Sequence, residues 1–305
     1  MAGKPLIVIL GPTASGKTGL AIQIAQALNG EIIGADSRQV YRYMDIGTAK
    51  PTPDQLAAVP HHLIDIIDPT DHLTLARYQQ MTYELIDAIH QRGKIPLLVG
   101  GTGQYLTAVT EGWSIPQVEP DHAMRDELEA EAERLGVEHL YNRLVAVDPE
   151  AAEKIHPNNV RRVIRSLEVF MITGEKISVL QQKRKPPYRI MELGLQIERL
   201  LLYEHADARV DQMMAAGFLA EVQRLLDMGY DRKLPSLSGL GYSQLAAHLL
   251  DDYPLNQAVE DTKIATHDFI RRQLTWFRNH DNGILWHNVE HSETIIDICA
   301  KWIAD

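Results

Sequence analysis

Cysteine is almost absent from this 305-residue chain, with Cys299 alone. That excludes an internal disulfide and any zinc site built on cysteines, and it suits a reducing cytosol. No apolar run approaches the roughly 20 residues of a membrane-spanning helix. The opening Met1-Ala2-Gly3-Lys4-Pro5 leads at once into apolar Leu6-Ile7-Val8-Ile9-Leu10, without a signal-type apolar region or small-residue cleavage site, so a cytoplasmic protein is expected. Internal repeats, low-complexity tracts and the HExxH metal motif are also missing. A hydrophobic content of 45% with 23% charged residues excludes a disordered or fibrous chain. The length gives room for one large domain or two ordinary ones. Positive charge is scarce on average, with 30 Lys and Arg against 41 Asp and Glu, a net charge of −11 that speaks mildly against a nucleic-acid partner.

The first hundred residues alternate short apolar strands with amphipathic helices. Strands are predicted over 6–10, 31–35, 63–67 and 95–99, and helices over 20–28 and 78–90. This alternation implies an α/β core whose parallel sheet is covered on both faces. From residue 119 the character turns helical. Residues 119–153 carry eleven acidic side chains against Arg125, Arg134 and Arg143, and 122–135 reads as a solvated acidic helix. Residues 154–189 invert this, with nine Lys and Arg against Glu168 and Glu175, a local charge of +7 that leaves −18 for the rest.

Within the basic block, Asn158 or Asn159 caps a predicted helix ending at Gly174. Val160, Val163, Ile164, Leu167 and Met171 form its apolar face. Arg161, Arg162 and Arg165 stand off that face; such a run is ordinarily a solvated basic face, but no acidic residue lies four positions from any of them, which strengthens the case for a polyanionic partner. Lys183-Arg184-Lys185-Pro186-Pro187 reads as an exit loop. A strand over 193–197, long helices through 226 and over 255–278, and a short strand over 284–287 complete the pattern.

Gly11-Pro12-Thr13-Ala14-Ser15-Gly16-Lys17-Thr18 fits G-x-x-x-x-G-K-[ST], with a strand before it and a helix after it. The glycines let backbone N–H groups curl around phosphate oxygens, and the helix N-terminus adds positive potential. Lys17 supplies a point charge, and Thr18 a hydroxyl suited to Mg²⁺. The loop indicates a di- or triphosphate without implying its hydrolysis. A kinase or hydrolase would add a strand ending in Asp, whereas residues 97–99 end in Gly100-Gly101-Thr102-Gly103. The strand that does end in a carboxylate is the one before Asp36. Open parallel sheets place ligands at the carboxyl ends of their strands, so Asp36 is a candidate Mg²⁺ ligand, general base or cap. Thr102 lies at the same edge, as a site residue or as a hydroxyl bonding its own loop. His61-His62 has no third ligand spaced with it and reads as capping or core histidines.

In these residues the chain resembles the tRNA dimethylallyltransferases. The resemblance is carried by GPTASGKT at 11–18, Asp36-Ser37-Arg38-Gln39-Val40-Tyr41 followed by Met44-Asp45-Ile46-Gly47-Thr48-Ala49-Lys50-Pro51, the segment 62–69, Gly100-Gly101-Thr102, the stretch from His156 to Glu168, and Arg272-Gln273-Leu274-Thr275-Trp276-Phe277-Arg278. It runs from residue 6 to about 286. It implies a P-loop-kinase-like parallel sheet core over 1–118 and 191–305, and an all-helical insertion over 119–190 that grips the anticodon stem. The implied reaction moves a dimethylallyl group from dimethylallyl diphosphate to N6 of adenosine-37, beside the anticodon of tRNA, in a cytoplasmic monomer.

By the same resemblance Asp36 is the base on the adenine amine and Thr102 positions that amine. The P-loop with Lys17, Mg²⁺ at Thr18, and Arg209 and Arg224 hold the diphosphate. Contacts to tRNA are implied for Asp36, Ser37, Arg38, Gln39, Thr102, Arg125, the run Arg161-Arg162-Val163-Ile164-Arg165, and Ser238-Gly239-Leu240-Gly241-Tyr242-Ser243. Ser243, His267 and Gln223 stand where the family pattern carries other residues, often arginine. The rival reading is a P-loop small-molecule kinase in which Asp36 activates a substrate hydroxyl. A free-nucleotide prenyltransferase would leave the basic block without a use, and a non-catalytic RNA-binding module would leave Asp36 and Thr102 without one.

Overall fold

The computed structural model describes residues 3–305. Met1 and Ala2, the start of the segment read as leading into the first strand, lie outside them. The chain forms two compact units, one of residues 3–110 with Pro187–Asp305 and one of Glu111–Pro186.

The first unit is built on six strands: β1 (Lys4–Leu10), β2 (Gly30–Ala35), β3 (His61–His62), β4 (Ile95–Gly100), β5 (Tyr188–Gln196) and β6 (Leu285–Asn288). They form one all-parallel sheet in the order β3-β2-β4-β1-β5-β6. β1 lies inside it, and Leu6, Ile7, Val8 and Ile9 have no solvent exposure. Its continuous apolar run follows from burial on both faces. Leu6, Val8 and Leu10 pack with Tyr78, Ile86 and Ile89 of the helix Leu75–Gln91. Ile7 and Ile9 pack with Leu20 and Ile24 of the helix Lys17–Ala27 and with Ile295 and Cys299 of the helix Ser292–Ala304. Burial there pushes the Cys299 thiol up to about 11, so it behaves as a small hydrophobe.

Residues 63–67 do not form the strand their apolar composition predicted. Leu63 and Asp65 take left-handed backbone with φ of 62° and 56°, which ends the ladder at His62. Leu63 is apolar because it is buried in the core, not because it is extended. The helical stretch expected through 226 is divided into Arg199–Ala215 and Phe218–Asp227 at Gly217, where φ is 99°. The helix Leu255–Asn279 is continuous.

The second unit is all-helical, with helices His122–Leu135, Val137–Val147, Pro149–Lys154, Val160–Thr173 and Ile177–Leu180. Asn159, not Asn158, caps Val160–Thr173 by accepting a hydrogen bond from the Arg162 N–H. The unit begins and ends earlier than the composition suggested. Its two ends pair with each other: the Ser114 N–H donates to the Gln182 carbonyl (2.7 Å) and the Arg184 N–H to the Gly112 carbonyl (2.8 Å). Residues 188–190, by contrast, belong to β5. Glu168 has no solvent exposure, and its carboxylate accepts from Arg125, Arg165 and the Asp121 N–H at 2.6 to 2.9 Å.

Glu31 plays a similar part near the amino end of β2. Its buried carboxylate meets Arg92 Nη2 at 2.6 Å, His62 Nε2 at 2.7 Å and Lys94 Nζ at 3.0 Å. His61 Nδ1 lies 2.7 Å from the Val59 carbonyl. Burial pushes the Glu31 carboxyl up, but the hydrogen bonds from Arg92, His62 and Lys94 outweigh it and hold the group down to about 2. A carboxylate depressed in the folded state stabilises above its ordinary value of 4.5, and that stability is lost as pH falls towards 2. Glu31→Gln should cost about 2 kcal/mol at neutral pH. The gap between parent and variant in thermal unfolding should narrow steadily below pH 4.5, and a gap independent of pH would refute the assignment.

Candidate active site

The parallel register aligns the ends of three strands. Leu10 pairs with Gly100, and Gly100 with Ala35, across β1, β4 and β2. The next residues, Gly11, Gly101 and Asp36, therefore leave the sheet side by side, and Thr102 follows one position later. After Gly11 the loop curls through Ala14 and Gly16, both left-handed, with φ of 65° and 83°. The helix Lys17–Ala27 then begins with its amide end at the loop. Ser15 is fully buried beneath it. The Lys17 ammonium folds back onto the Pro12 carbonyl at 2.5 Å.

Thr13, Lys17 and Thr18 of the loop line a cavity of about 350 Å³ together with Asp36, Gly101 and Thr102, whereas Gly11, Pro12, Ala14, Ser15 and Gly16 do not; the volume is room for a small phosphorylated ligand. Thr13, Lys17, Thr18 and Arg209 contribute polar lining, joined by Asp36, Ser37, Arg38, Gln39 and Thr102. Val99, Val210, Met213 and Phe218 contribute apolar lining. Lys17 still shows part of its surface to the cavity, but protein encloses its ammonium. That burial, reinforced by the Arg209 charge and opposed by Asp36, pulls Lys17 down to about 7. Burial also pulls Arg209 below its ordinary value, again against Asp36. Two desolvated cations thus face one cavity, an arrangement suited to an anion of high charge.

Asp36 does two jobs with its two oxygens. Oδ1 accepts from the Arg38 and Gln39 N–H groups at 2.8 and 3.3 Å, which is the capping role. No hydrogen bond from the described residues reaches Oδ2, leaving it for a ligand or a proton. Thr102 Oγ1 accepts from the Ser37 N–H at 3.0 Å and lies 3.4 Å from Ser37 Oγ, so it ties the end of β4 to the turn after β2. Ser238, Gly239, Leu240 and Tyr242 also line the cavity, whereas Gly241 and Ser243 do not. Arg38 is held over this segment through the Pro235 and Ser236 carbonyls.

Of the other expected contacts, one is assigned to the diphosphate and the rest to the helical unit. Arg224 is turned onto the Tyr43 carbonyl (3.2 Å) and towards Glu221 (4.0 Å), so it does not face the P-loop. Val163 and Ile164 are 1% and 3% exposed in the core of the helical unit and offer no surface to an RNA. Arg125 and Arg165 are tied to Glu168, and Arg165 also reaches the Val118 carbonyl. Arg165 does have an acidic partner, at i+3 rather than at i±4. Arg161 and Arg162 are exposed, with no ion pair among the described residues.

Gln273 carries a structural part that the sequence reading left unassigned. Its Oε1 accepts from the Thr13 N–H and its Nε2 donates to the Gly101 carbonyl, both at 2.9 Å, clamping the P-loop to the turn after β4. The available signal was spacing. Thr262, Thr266, Phe269 and Gln273 recur at i, i+4, i+7 and i+11, one face of Leu255–Asn279, and all line the cavity.

A protein-family profile described as IPP transferase matches residues 39–280. The tRNA dimethylallyltransferase of Roseiflexus sp. (strain RS-1) is 52% identical over 278 residues, covering 91% of each chain. That of Dehalococcoides mccartyi is 45% identical over 303 residues, 99% of this chain and 93% of its own. Among solved structures, the full-length tRNA isopentenylpyrophosphate transferase of Bacillus halodurans superposes with a TM-score of 0.73 at 40% identity, covering 99% of this chain and 97% of its own. A eukaryotic dimethylallyltransferase described as acting on tRNA gives a TM-score of 0.83 at 30% identity, covering 99% and 80%.

The value near 7 for Lys17 has a measurable consequence. Above that pH the neutral Lys17 amine must take up a proton before it can pair with an anion. The ratio of inorganic diphosphate affinities between parent and Lys17→Met should therefore fall by up to about tenfold per pH unit above 7. Titration calorimetry at pH 6.5, 7.5 and 8.5 checks this, and a constant ratio would show that Lys17 is not desolvated in the free protein.

Proposed function

We infer the chemistry of this cavity from one premise: the chain belongs to the IPP transferase family, the tRNA dimethylallyltransferases. The family reaction is prenylation of tRNA. For this chain we propose that dimethylallyl diphosphate is the donor and N6 of adenosine-37, beside the anticodon, the acceptor. The observation that supports this reading is a single cavity with two desolvated cations, an apolar wall and an unengaged carboxylate oxygen. The kinase alternative is not favoured, because the relatives are prenyltransferases and β4 ends in Gly100 without a carboxylate.

The lone pair of an exocyclic adenine amine is delocalised into the ring, which makes it a weak nucleophile. As the N6–C1 bond forms, Asp36 Oδ2 takes the N6 proton. The C1–O bond breaks, and its electron pair leaves with the diphosphate. Lys17, Arg209 and the P-loop amides stabilise the charge that grows there. The Thr102 hydroxyl, held against Ser37, positions the amine.

The site also fits Mg²⁺ by donor chemistry. Thr18 offers a hydroxyl oxygen in the cavity, and among the described residues no group of three His, Cys, Asp or Glu side chains could hold a metal without substrate oxygens. That suits an ion bound mainly by phosphate and water. When bound, it would neutralise charge on the diphosphate oxygens.

The adenine must leave its stack to reach Asp36. Residues 36–39 and 238–240, which line the cavity, are proposed contacts for the splayed anticodon loop. Arg161 and Arg162 on the helical unit are proposed contacts for backbone phosphates. No helix among the described residues is long and apolar enough to cross a membrane. The cavity is lined by residues of one chain, which supports a monomer, and the proposed tRNA substrate is what supports a cytoplasmic place of action.

Incubation with dimethylallyl diphosphate and unmodified tRNA should add one five-carbon group to an adenosine, with no phosphate transfer from γ-labelled ATP to candidate metabolites. Asp36→Asn keeps the capping oxygen but removes the base, so turnover should fall roughly 10²–10⁴-fold with tRNA affinity within a few-fold. Near-full turnover in this variant would sink the base assignment.

Replacing Arg161 and Arg162 together by Ala should flatten the plot of log K against log salt for tRNA binding by roughly 1.5 units. Arg165→Ala should instead lower thermal stability, since it strips a partner from buried Glu168. Parallel salt plots for the parent and the double variant would remove the phosphate contacts from Arg161 and Arg162.

A further inference from the structure

The mechanism makes no use of one buried charge. Glu221, in the helix Phe218–Asp227, is 2% exposed. Its Oε2 accepts from the N–H groups of Asp45 and Ile46 at 2.9 and 2.8 Å. Its Oε1 accepts from the Gly47 N–H at 3.1 Å and from the Tyr242 hydroxyl at 2.7 Å. Four donors thus converge on one carboxylate, and three of them are consecutive backbone amides. Burying a carboxylate is costly unless every lone pair is used; here they are used to fix a loop.

The fixed loop is part of the cavity. Gly47, Thr48 and Ala49 line it. Gly47 presses so closely on Phe218 and Tyr242 that a Cβ there would lie 2.1 Å from one ring and 2.6 Å from the other. From the opposite side of the loop, Gln39 Nε2 donates to the Thr48 and Ala49 carbonyls at 3.1 and 3.0 Å. The Gln39 N–H in turn donates to Asp36 Oδ1. Hydrogen bonds joined by short covalent stretches of the loop and of Gln39 therefore connect Glu221 to the carboxylate assigned as base. Burial and the Glu221 charge hold the Tyr242 hydroxyl far above the usual phenol range, so it remains a donor.

We propose that Glu221 is a positioning residue for prenyl transfer, acting through the Asp45-Ile46-Gly47 amides and Gln39 to set the cavity wall and the orientation of Asp36. The proposal rests on the reaction inferred above. Charge-assisted bonds of this kind are short and directional, and an error of about 1 Å at a reacting group can cost 10²-fold in rate. Glutamine in place of Glu221 can accept at one oxygen only, and its NH₂ would confront an amide donor of the loop.

The test is a double-mutant cycle on kcat, with saturating tRNA and dimethylallyl diphosphate, well below the melting temperature of every variant. Glu221→Gln should lower kcat roughly 10–100-fold, while KM for dimethylallyl diphosphate changes by no more than about threefold. Gln39→Leu should also lower kcat. The double variant should be no worse than the poorer single within about threefold, because both act along one chain of contacts. Glu221→Asp keeps the charge and shortens the reach; it should fall between parent and Glu221→Gln, and it carries the same cycle if the glutamine variant does not fold.

A kcat within twofold of the parent in a folded variant, or independent effects in the cycle, would overturn the proposal. So would failure of both Glu221 variants to fold, which would assign the residue to stability alone. The parent is the control for the underlying reading: no prenyl transfer by the parent defeats that reading, whereas transfer by the parent with an inert Glu221 defeats only the positioning role.

Discussion

Parallel pairing of β2, β4 and β1 in one register is the constraint on which the site depends. Because Ala35, Gly100 and Leu10 lie in one row, three separate chain segments leave the sheet at the same height and within reach of one ligand. A slip of one residue in any strand would move its side chains to the other face and its loop away from the others. The register is held by β1, whose alternate residues are divided between the two apolar layers and admit no water. Close approach helps as well. A Cβ on Gly100 would lie 2.1 Å from the Ala35 carbonyl, so the β2–β4 edge can be this tight only with glycine there.

Elsewhere in the chain the structure uses buried carboxylates as internal anchors. Glu31 gathers Arg92, Lys94 and His62 near the amino end of β2, Glu168 gathers two arginines in the helical unit, and Glu221 gathers backbone amides beside the cavity. Each is affordable because its oxygens are fully partnered. The cavity cations are treated in the opposite way. Lys17 and Arg209 are desolvated beside each other, with only Asp36 to offset their repulsion. Anchors whose oxygens are partnered make the frame rigid, whereas desolvated cations that repel each other favour a polyanionic ligand.

Much of this was legible in residue order. The P-loop, Asp36 and Thr102 leave the sheet at one edge, as expected for residues that each follow a short apolar strand, because parallel sheets align strand ends. The failures have physical causes. Residues 63–67 are apolar but contain two left-handed positions, and burial without extension looks the same as a strand in composition. The start of the helical unit was set at residue 119 because charge changes there, yet the unit closes through backbone pairing of residues 112–114 with 182–184, and backbone pairing leaves no compositional mark. Arg165 read as unpaired at i±4 when its partner stood at i+3. Gln273 and Glu221 were passed over as site residues because their roles lie in what they hold, and those partners are distant in sequence.

The division of the basic residues bears on how RNA affinity and stability are separated. In Val160–Thr173, successive residues face different surroundings: Arg161 and Arg162 reach solvent, Val163 and Ile164 enter the core, and Arg165 returns to buried Glu168. A run with one sign of charge thus contains both a candidate phosphate contact and a structural ion pair. Phosphate contacts are strongly screened by salt, whereas a pair centred on a fully buried carboxylate is screened far less. Salt therefore discriminates between the two roles within five residues of one helix. A P-loop lacking a carboxylate at the end of β4 fits the same logic at the other substrate: it holds a leaving diphosphate and leaves the nucleophile to Asp36, from a different strand.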